Sequence, residues 1–215
     1  MLSIIVIARN KLNEHTIPCI NSILQNTAGD FELVLVDNCS HDSTFDYFRK
    51  LSSKSFRNTN NCGIARGRNI GLKMASGDPL IFLDNDTILP YAWDLWLMRA
   101  LGCLNVGIAG GIPTNELWRL KYQRSYDGLI DFPEIGASSF AFPRKVFNRL
   151  GFLDESLEYA GEDTDYCLRA RKLGYRTVVI PDLIIQHKNF GTRGQLDSSQ
   201  IAESQRRFYN KHGGF

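Results

Sequence analysis

Apolar positions along the chain change period several times, and each change marks an element. Leu2 to Ala8 is a near-continuous β-branched apolar run, the pattern of a parallel strand buried on both faces. Ile17, Ile20, Ile23 and Leu24 then recur at helical spacing, with Thr16 as N-cap and Pro18 tolerated in the first turn. Phe31 to Val36, FELVLV, predicts a second buried strand ending in Asp37. The turn-rich NCSHDS follows, then a helix from Thr44 to Leu51 and a short strand from Phe56 to Asn58. Strand, helix, strand, helix in that order predicts a parallel sheet with right-handed crossovers, an α/β fold.

NNCGIARGRNIGLKMASGD reads as a loop entering a helix from about Ala65 and closed by Gly77 and Asp78. Its Gly63, Gly67 and Gly71 form no GxGxxG, so a dinucleotide fingerprint is poor, and their spacing of four predicts close helix packing. Pro79 to Leu83 is the next strand, with Asp84 at its carboxyl end. Tyr91 to Leu101 predicts a helix that places Trp93 and Trp96 in the core, and Val106 to Gly110 a strand. From Asn115 to Phe142, polar and aromatic residues alternate as in antiparallel strands that extend or cover the sheet. Asp165 to Leu173 is helical with Gly174 as its stop, Thr177 to Ile180 is a strand closed by Pro181, and NKHGGF reads as a frayed end. There is no internal repeat or linker, so one domain is expected over 1–215.

Composition narrows the partners. A chain of 215 residues, 43% apolar, can bury a full core. Its formal charge of +2, from 25 basic and 23 acidic residues without a dense Lys/Arg run, disfavours nucleic acid. Five scattered cysteines without a CxxC pair argue against a disulfide framework or zinc ribbon and suit free thiols in a reducing compartment. MLSIIVIARN lacks the basic region and cleavage site of a signal peptide, and no run of about 18 apolar residues occurs. A cytoplasmic protein is expected, with peripheral membrane association left open.

Three stretches hold candidate chemistry. IFLDNDT sets Asp84 and Asp86 two apart at a strand end, where both can face one partner, as a metal site or as an acidic turn. GEDTD, Gly161 to Asp165, has three carboxylates in four residues ahead of a helix, where capping needs one or two at most. His187 follows the apolar run Leu183 to Ile185, as a core histidine or as a ligand.

In their order these stretches resemble a family 2 glycosyltransferase of the GT-A fold, over nearly the whole chain. IIVIARNKLNEHTIPCINSIL is similar to the family's first strand and helix, with Ile-Ala-Arg-Asn where Pro-Thr-Tyr-Asn is usual. LVLVDNCSHDST, NNCGIARGRNIGLKMASGDPLIFLDNDT and VFNRLGFLDESLEYAGEDTDYCLRARKLGYR follow its later motifs. The resemblance implies a mostly parallel central sheet flanked by helices, with a small antiparallel acceptor-side portion, and divides the domain into a nucleotide-sugar-binding half (1–112) and an acceptor-binding, catalytic half (113–215). It also implies a nucleoside-diphosphate-sugar donor, and places Ala8, Asn10 and Asp37 at the nucleotide, Arg66 at the diphosphate, and Asp84 and Asn85 beside the donor. Asp86 and His187, with Asp84 directly or through water, are the implied ligands of Mn²⁺ or Mg²⁺.

A divalent cation suits a diphosphate leaving group, whose negative charge grows as the glycosidic bond breaks. Hard cations prefer carboxylate oxygens, and Mn²⁺ also accepts imidazole. Asp163 is the candidate general base for an acceptor hydroxyl, which gives inversion, with Glu162 beside it and Asp165 as a structural or capping acid. Trp118 and Tyr122 are candidates for stacking on a sugar. The acceptor is left as a glycan, a lipid-linked sugar or a protein. The rival readings are a nucleotidyltransferase, which normally has a Gly-rich loop that ARNKLNEH lacks, and a non-catalytic nucleotide-sugar-binding domain.

Overall fold

A computed structural model describes residues 1–136, 138–188 and 198–213. The predicted alternation is present. It runs β1 (Leu2–Ala8), α1 (Ile17–Asn26), β2 (Phe31–Asp37), α2 (Thr44–Leu51), β3 (Ser55–Arg57), α3 (Ile64–Met74) and β4 (Leu80–Asp84). Then come β5 (Thr87–Ile88), α4 (Trp93–Leu101), β6 (Val106–Pro113), β7 (Ile130–Asp131), β8 (Phe140–Phe142), α5 (Arg144–Leu150), α6 (Glu162–Lys172), β9 (Arg176–His187) and α7 (Ser198–His212). The sheet order is β3-β2-β1-β4-β8-β6-β9-β5, with β7 also on β9. β1, β2, β3 and β4 pair in parallel, as do β6 and β9, and antiparallel β8 joins the two parallel groups.

Two cores follow from the alternation along β1. Leu2, Ile4, Val6 and Ala8 pack with Ile20 and Ile23 of α1, Phe48 of α2 and Trp93 and Leu97 of α4. Ile5 faces the opposite side, with Ala65 and Leu72 of α3, Val146 of α5 and Tyr166 and Ala170 of α6. Helices therefore cover both faces, as a parallel sheet requires. The glycine spacing in α3 serves close packing as expected: a Cβ on Gly71 would collide with Ile5 Cγ2.

Several expectations need correction. β9 does not stop at Pro181 but continues to His187. Its register on β6 jumps from Gly111↔Ile180 to Ile112↔Ile184, so the proline, which cannot donate to a ladder, sits in a bulge. Thr114–Lys121 is 3₁₀-helical with a kink at Glu116, so among the described residues strands in the expected antiparallel stretch are confined to β7 and β8. Trp93 is fully buried but Trp96 is 36% exposed, because it stands on the outer face of α4. The expected fray at NKHGGF is ordered through His212 in α7. All five cysteines are free. Among the described residues, no helix is long and apolar enough to cross a membrane.

Candidate active site

The carboxyl ends of parallel strands form the rim where open α/β sheets bind ligands. Ala8 at the end of β1 and Arg9 after it, Asn38 after β2, Asp84 of β4 and Pro113 of β6 all line one cavity of about 330 Å³ there. From the other side it is lined by Glu116, Glu162, Asp163 and His187.

The pairing of β5 assembles one wall. After Asp84 the chain turns through Asn85 and Asp86, and β5 then runs antiparallel to β9 with Thr87 opposite His187. That register brings His187 Nε2 to 3.1 Å from Asp86 Oδ1 and 3.7 Å from Asp84 Oδ2. The Lys188 amide donates to the Asp86 carbonyl at 3.2 Å and fixes the crossing. Asn85 also lines the cavity, and its Nδ2 donates to Thr16 Oγ1 at 2.9 Å, so the expected N-cap of α1 instead accepts this bond. One ligand atom from each of Asp84, Asp86 and His187 lies within 4.8 Å of the others. Burial disfavours charge on His187, but the hydrogen bond with Asp86 and the charge of Asp84 outweigh it and raise its pKa. Burial likewise acts against ionised Asp86, and His187 reverses it, lowering the carboxyl's pKa. Two carboxylates and an imidazole fit the donor set of Mn²⁺, and fit Mg²⁺ through the carboxylates.

A second wall is built by α6. Gly161 holds φ +87°, a conformation that favours glycine, and delivers Glu162 and Asp163 to the rim. Glu162 is buried, and Arg68 Nη1 lies 2.7 Å from its Oε1 while Nη2 lies 3.0 Å from Asp84 Oδ1. Burial and the charge of Asp163 push the Glu162 carboxyl up to about 7, against the pull of Arg68. Asp163 is the more open acid and accepts from the Thr164 amide at 2.7 Å. Asp165 is fully buried among Arg169, Lys211 and His212, at 2.8, 2.7 and 2.9 Å.

Other expected residues fall elsewhere. Asp37 is fully buried and accepts from the Ser40 amide at 3.0 Å. Arg57 Nε stands 3.3 Å from its Oδ2 but outside hydrogen-bond geometry, so that oxygen has no hydrogen-bond partner among the described residues. Asn10 ties the loops after β1 and β2 together, donating its amide to Ser40 Oγ at 2.8 Å and accepting from the His41 amide at 2.7 Å. Arg66, expected at the diphosphate, is exposed on α3 and does not line the cavity, whereas Arg68 does. Trp118 and Tyr122 do not line it either and pack on Phe132. Sequence reading had not placed Arg9, Asn38, Glu116 or Tyr159 at the cavity. The surplus acid of GEDTD was a usable signal for Arg68, because a buried carboxylate needs a cation or a proton.

The sequence profile of Glycosyl transferase family 2 matches residues 3–156, from β1 to the loop ahead of α6. An uncharacterized glycosyltransferase of Haemophilus influenzae is 38% identical over 88 residues, covering 40% of this chain and 29% of that protein. The crystal structure of GalNAc-T7 with UDP, GalNAc and Mn²⁺ superposes with a TM-score of 0.79 at 19% identity, over 98% of this chain and 47% of that one. A mannosyltransferase from Pyrobaculum calidifontis, in complex with GDP-Man and Mn²⁺, gives 0.74 at 20% identity, over 98% and 63%. The chain thus spans less than two thirds of each of these proteins. The structural likenesses establish the GT-A fold. Asp163 and His187 lie beyond the profile match, and their placement rests on the geometry described above. With the profile running through the strands and turns that carry Asp37, Asp84 and Asp86, the chain belongs to glycosyl transferase family 2.

Proposed function

We propose that the chain transfers a sugar, with inversion, from a nucleoside-diphosphate-sugar to an acceptor hydroxyl. One observation carries the reading: Asp84, Asp86 and His187 converge as a ligand set on a cavity that also exposes Asp163. Asp86, His187 and Asp84 would hold Mn²⁺ or Mg²⁺, which when bound neutralises the charge developing on the leaving diphosphate. Asp37, whose buried Oδ2 is ion-paired with Arg57 at 3.3 Å and has no hydrogen-bond partner among the described residues, is assigned to the nucleobase, and Ala8 and Asn38, which line the cavity, flank the donor. Asp163, fixed by its own helix amide, takes the acceptor proton, while Glu162, tied to Arg68, is not free to do so. The two matched structures hold uridine and guanosine nucleotides, so the choice of base is open to direct titration. The acceptor is a hydroxyl compound, with glycan, lipid-linked sugar and protein as candidate carriers.

A panel of nucleotide sugars tests this with Mn²⁺, with Mg²⁺ and with chelator. One donor is expected to be cleaved in a metal-dependent way, and full turnover in chelator would remove the metal role. Asp163→Asn is expected to lower transfer about a hundred- to ten-thousand-fold while isothermal titration still shows nucleotide binding. Equal transfer rates would exclude Asp163 as base.

A further inference from the structure

A second cavity, of about 610 Å³, adjoins the first, and the two share Glu116, Gly136 and Asp163 among their lining residues. Asp163 therefore stands between two chambers, with the ligand set Asp84, Asp86 and His187 on the first only. The second chamber has an apolar side, with Pro133, Leu168 and Phe208, and an acidic side, with Glu116, Glu134 and Asp163. Thr164 links two of these acids: its amide donates to Asp163 Oδ1 at 2.7 Å and its Oγ1 to Glu134 Oε2 at 3.3 Å.

The single cation lining this chamber among the described residues is Arg119, and it is already engaged. Its Nη1 donates to the Glu134 carbonyl at 2.9 Å, its Nη2 lies 2.7 Å from Glu116 Oε2, and its guanidinium sits 4.3 Å from the Phe132 ring centre. The side chain is 3% exposed, and its Nε has no hydrogen-bond partner among the described residues. With Glu116 paired to Arg119, the carboxylates of Glu134 and Asp163 leave the chamber negative. The Glu116 carboxyl registers that field: burial, and then the charges of Glu134 and Asp163, raise its pKa against the pull of Arg119 and His187.

We propose that the second chamber is the acceptor pocket and that Glu134 and Glu116 make it select an uncharged, polyhydroxylated acceptor over an anionic one. This deepens the glycosyl-transfer reading and rests on it. Hydroxyl donors of a neutral sugar satisfy carboxylate acceptors, and its C–H face suits the apolar side of the chamber. A phosphate or carboxylate on the acceptor meets like charges without a free cation to offset them, and like-charge juxtaposition at an interface is costly. The acceptor hydroxyl then reaches Asp163 from the side opposite the donor, gives its proton to that carboxylate, and bonds to the anomeric carbon as the bond to the nucleoside diphosphate breaks.

The test pairs neutral methyl hexosides and neutral oligosaccharides with the matching hexose 6-phosphates and uronates. Release of nucleoside diphosphate above the acceptor-free rate is the readout. Neutral acceptors are expected to exceed anionic ones by about ten-fold or more in kcat/KM. Glu134→Lys is expected to move that ratio toward anionic acceptors by a similar factor, and Glu134→Gln by less. Equal or better use of anionic acceptors overturns the proposal. So does a ratio unmoved in both variants, or no transfer to any neutral acceptor while the metal-dependent donor hydrolysis persists. Absence of donor hydrolysis with every nucleotide sugar is a different failure, because it overturns glycosyl transfer itself and the acceptor pocket with it.

Discussion

Arg68 is a charge placed where charges are costly, 3% exposed, with Glu162 and Asp84 on either side of its guanidinium and the Phe82 ring 5.4 Å away. Removing one partner of such a buried pair typically costs more than the pair contributes. Arg68→Met is therefore expected to destabilise the fold by about 3–5 kcal/mol in urea titrations of the metal-free protein. The sign of its pH dependence follows from Glu162. With a folded value raised to about 7, this acid destabilises the fold progressively as pH rises from its ordinary value through 7. Without Arg68 the folded value rises further, so the penalty of the substitution should be smaller at pH 6 than at pH 8. Adding Glu162→Gln should recover part of the loss, and strict additivity of the two changes would show that the pair is not coupled. The choice between Arg66 and Arg68 was legible in helical phase. Arg68 shares the three- and four-residue rows of Ala65 and Leu72, both buried, whereas Arg66 stands off that face. The convergence of Asp84, Asp86 and His187 could be read from type and position. Glu116 and Asn38 could not, because only the tertiary fold brings isolated polar residues to a rim.

At the scale of elements, α7 holds the loop that leads into Asp163. Phe208 is fully buried, with a ring atom 3.0 Å from where a Cβ would stand on Gly161, two residues before Asp163. Ser204 Oγ accepts from the Tyr159 amide at 3.2 Å, and Arg207 donates to the Ser156 carbonyl at 3.0 Å. Lys211 reaches Asp154 at 2.6 Å and Asp165 at 2.7 Å. Phe208→Ala is expected to cost about 3–5 kcal/mol locally. Hydrogen exchange should quicken in 151–165 and 198–213 while amides of β1 and β4 stay protected. Uniform quickening across the sheet would show instead that α7 belongs to the global folding unit. Long periodic segments such as β1, β2, α2 and α4 were legible because one physical pattern runs through each. The short β5 could not be read from two residues. α7 was missed because its buried face is thin, Ser204 and Phe208, and packs on loops that periodicity cannot place.

The whole molecule poses the question of how many units fold. The expected division at 112/113 cuts β6, Val106–Pro113, just before its last residue, and β6 lies between β8 and β9 in the sheet. Both cores also cross the division: Val6 and Leu83 pack in one cluster with Ala141 and Val178, and Ile5 and Phe82 in the other with Phe142 and Tyr166. The two proposed halves therefore belong to one folded unit, since neither completes a core alone. Calorimetry on this chain is expected to show one transition with matching calorimetric and van't Hoff enthalpies. Its heat-capacity increment should be about 3 kcal/mol/K for 215 residues. Residues 1–112 expressed alone should show no cooperative transition. Mn²⁺ with the preferred nucleoside diphosphate at about a hundred times its Kd should stabilise the whole chain by about 2.7 kcal/mol, shifting the one transition upward. Two resolved transitions, with only the first moved by nucleotide, would mean that the halves fold apart and that the cavity rim is assembled by docking rather than by a shared sheet.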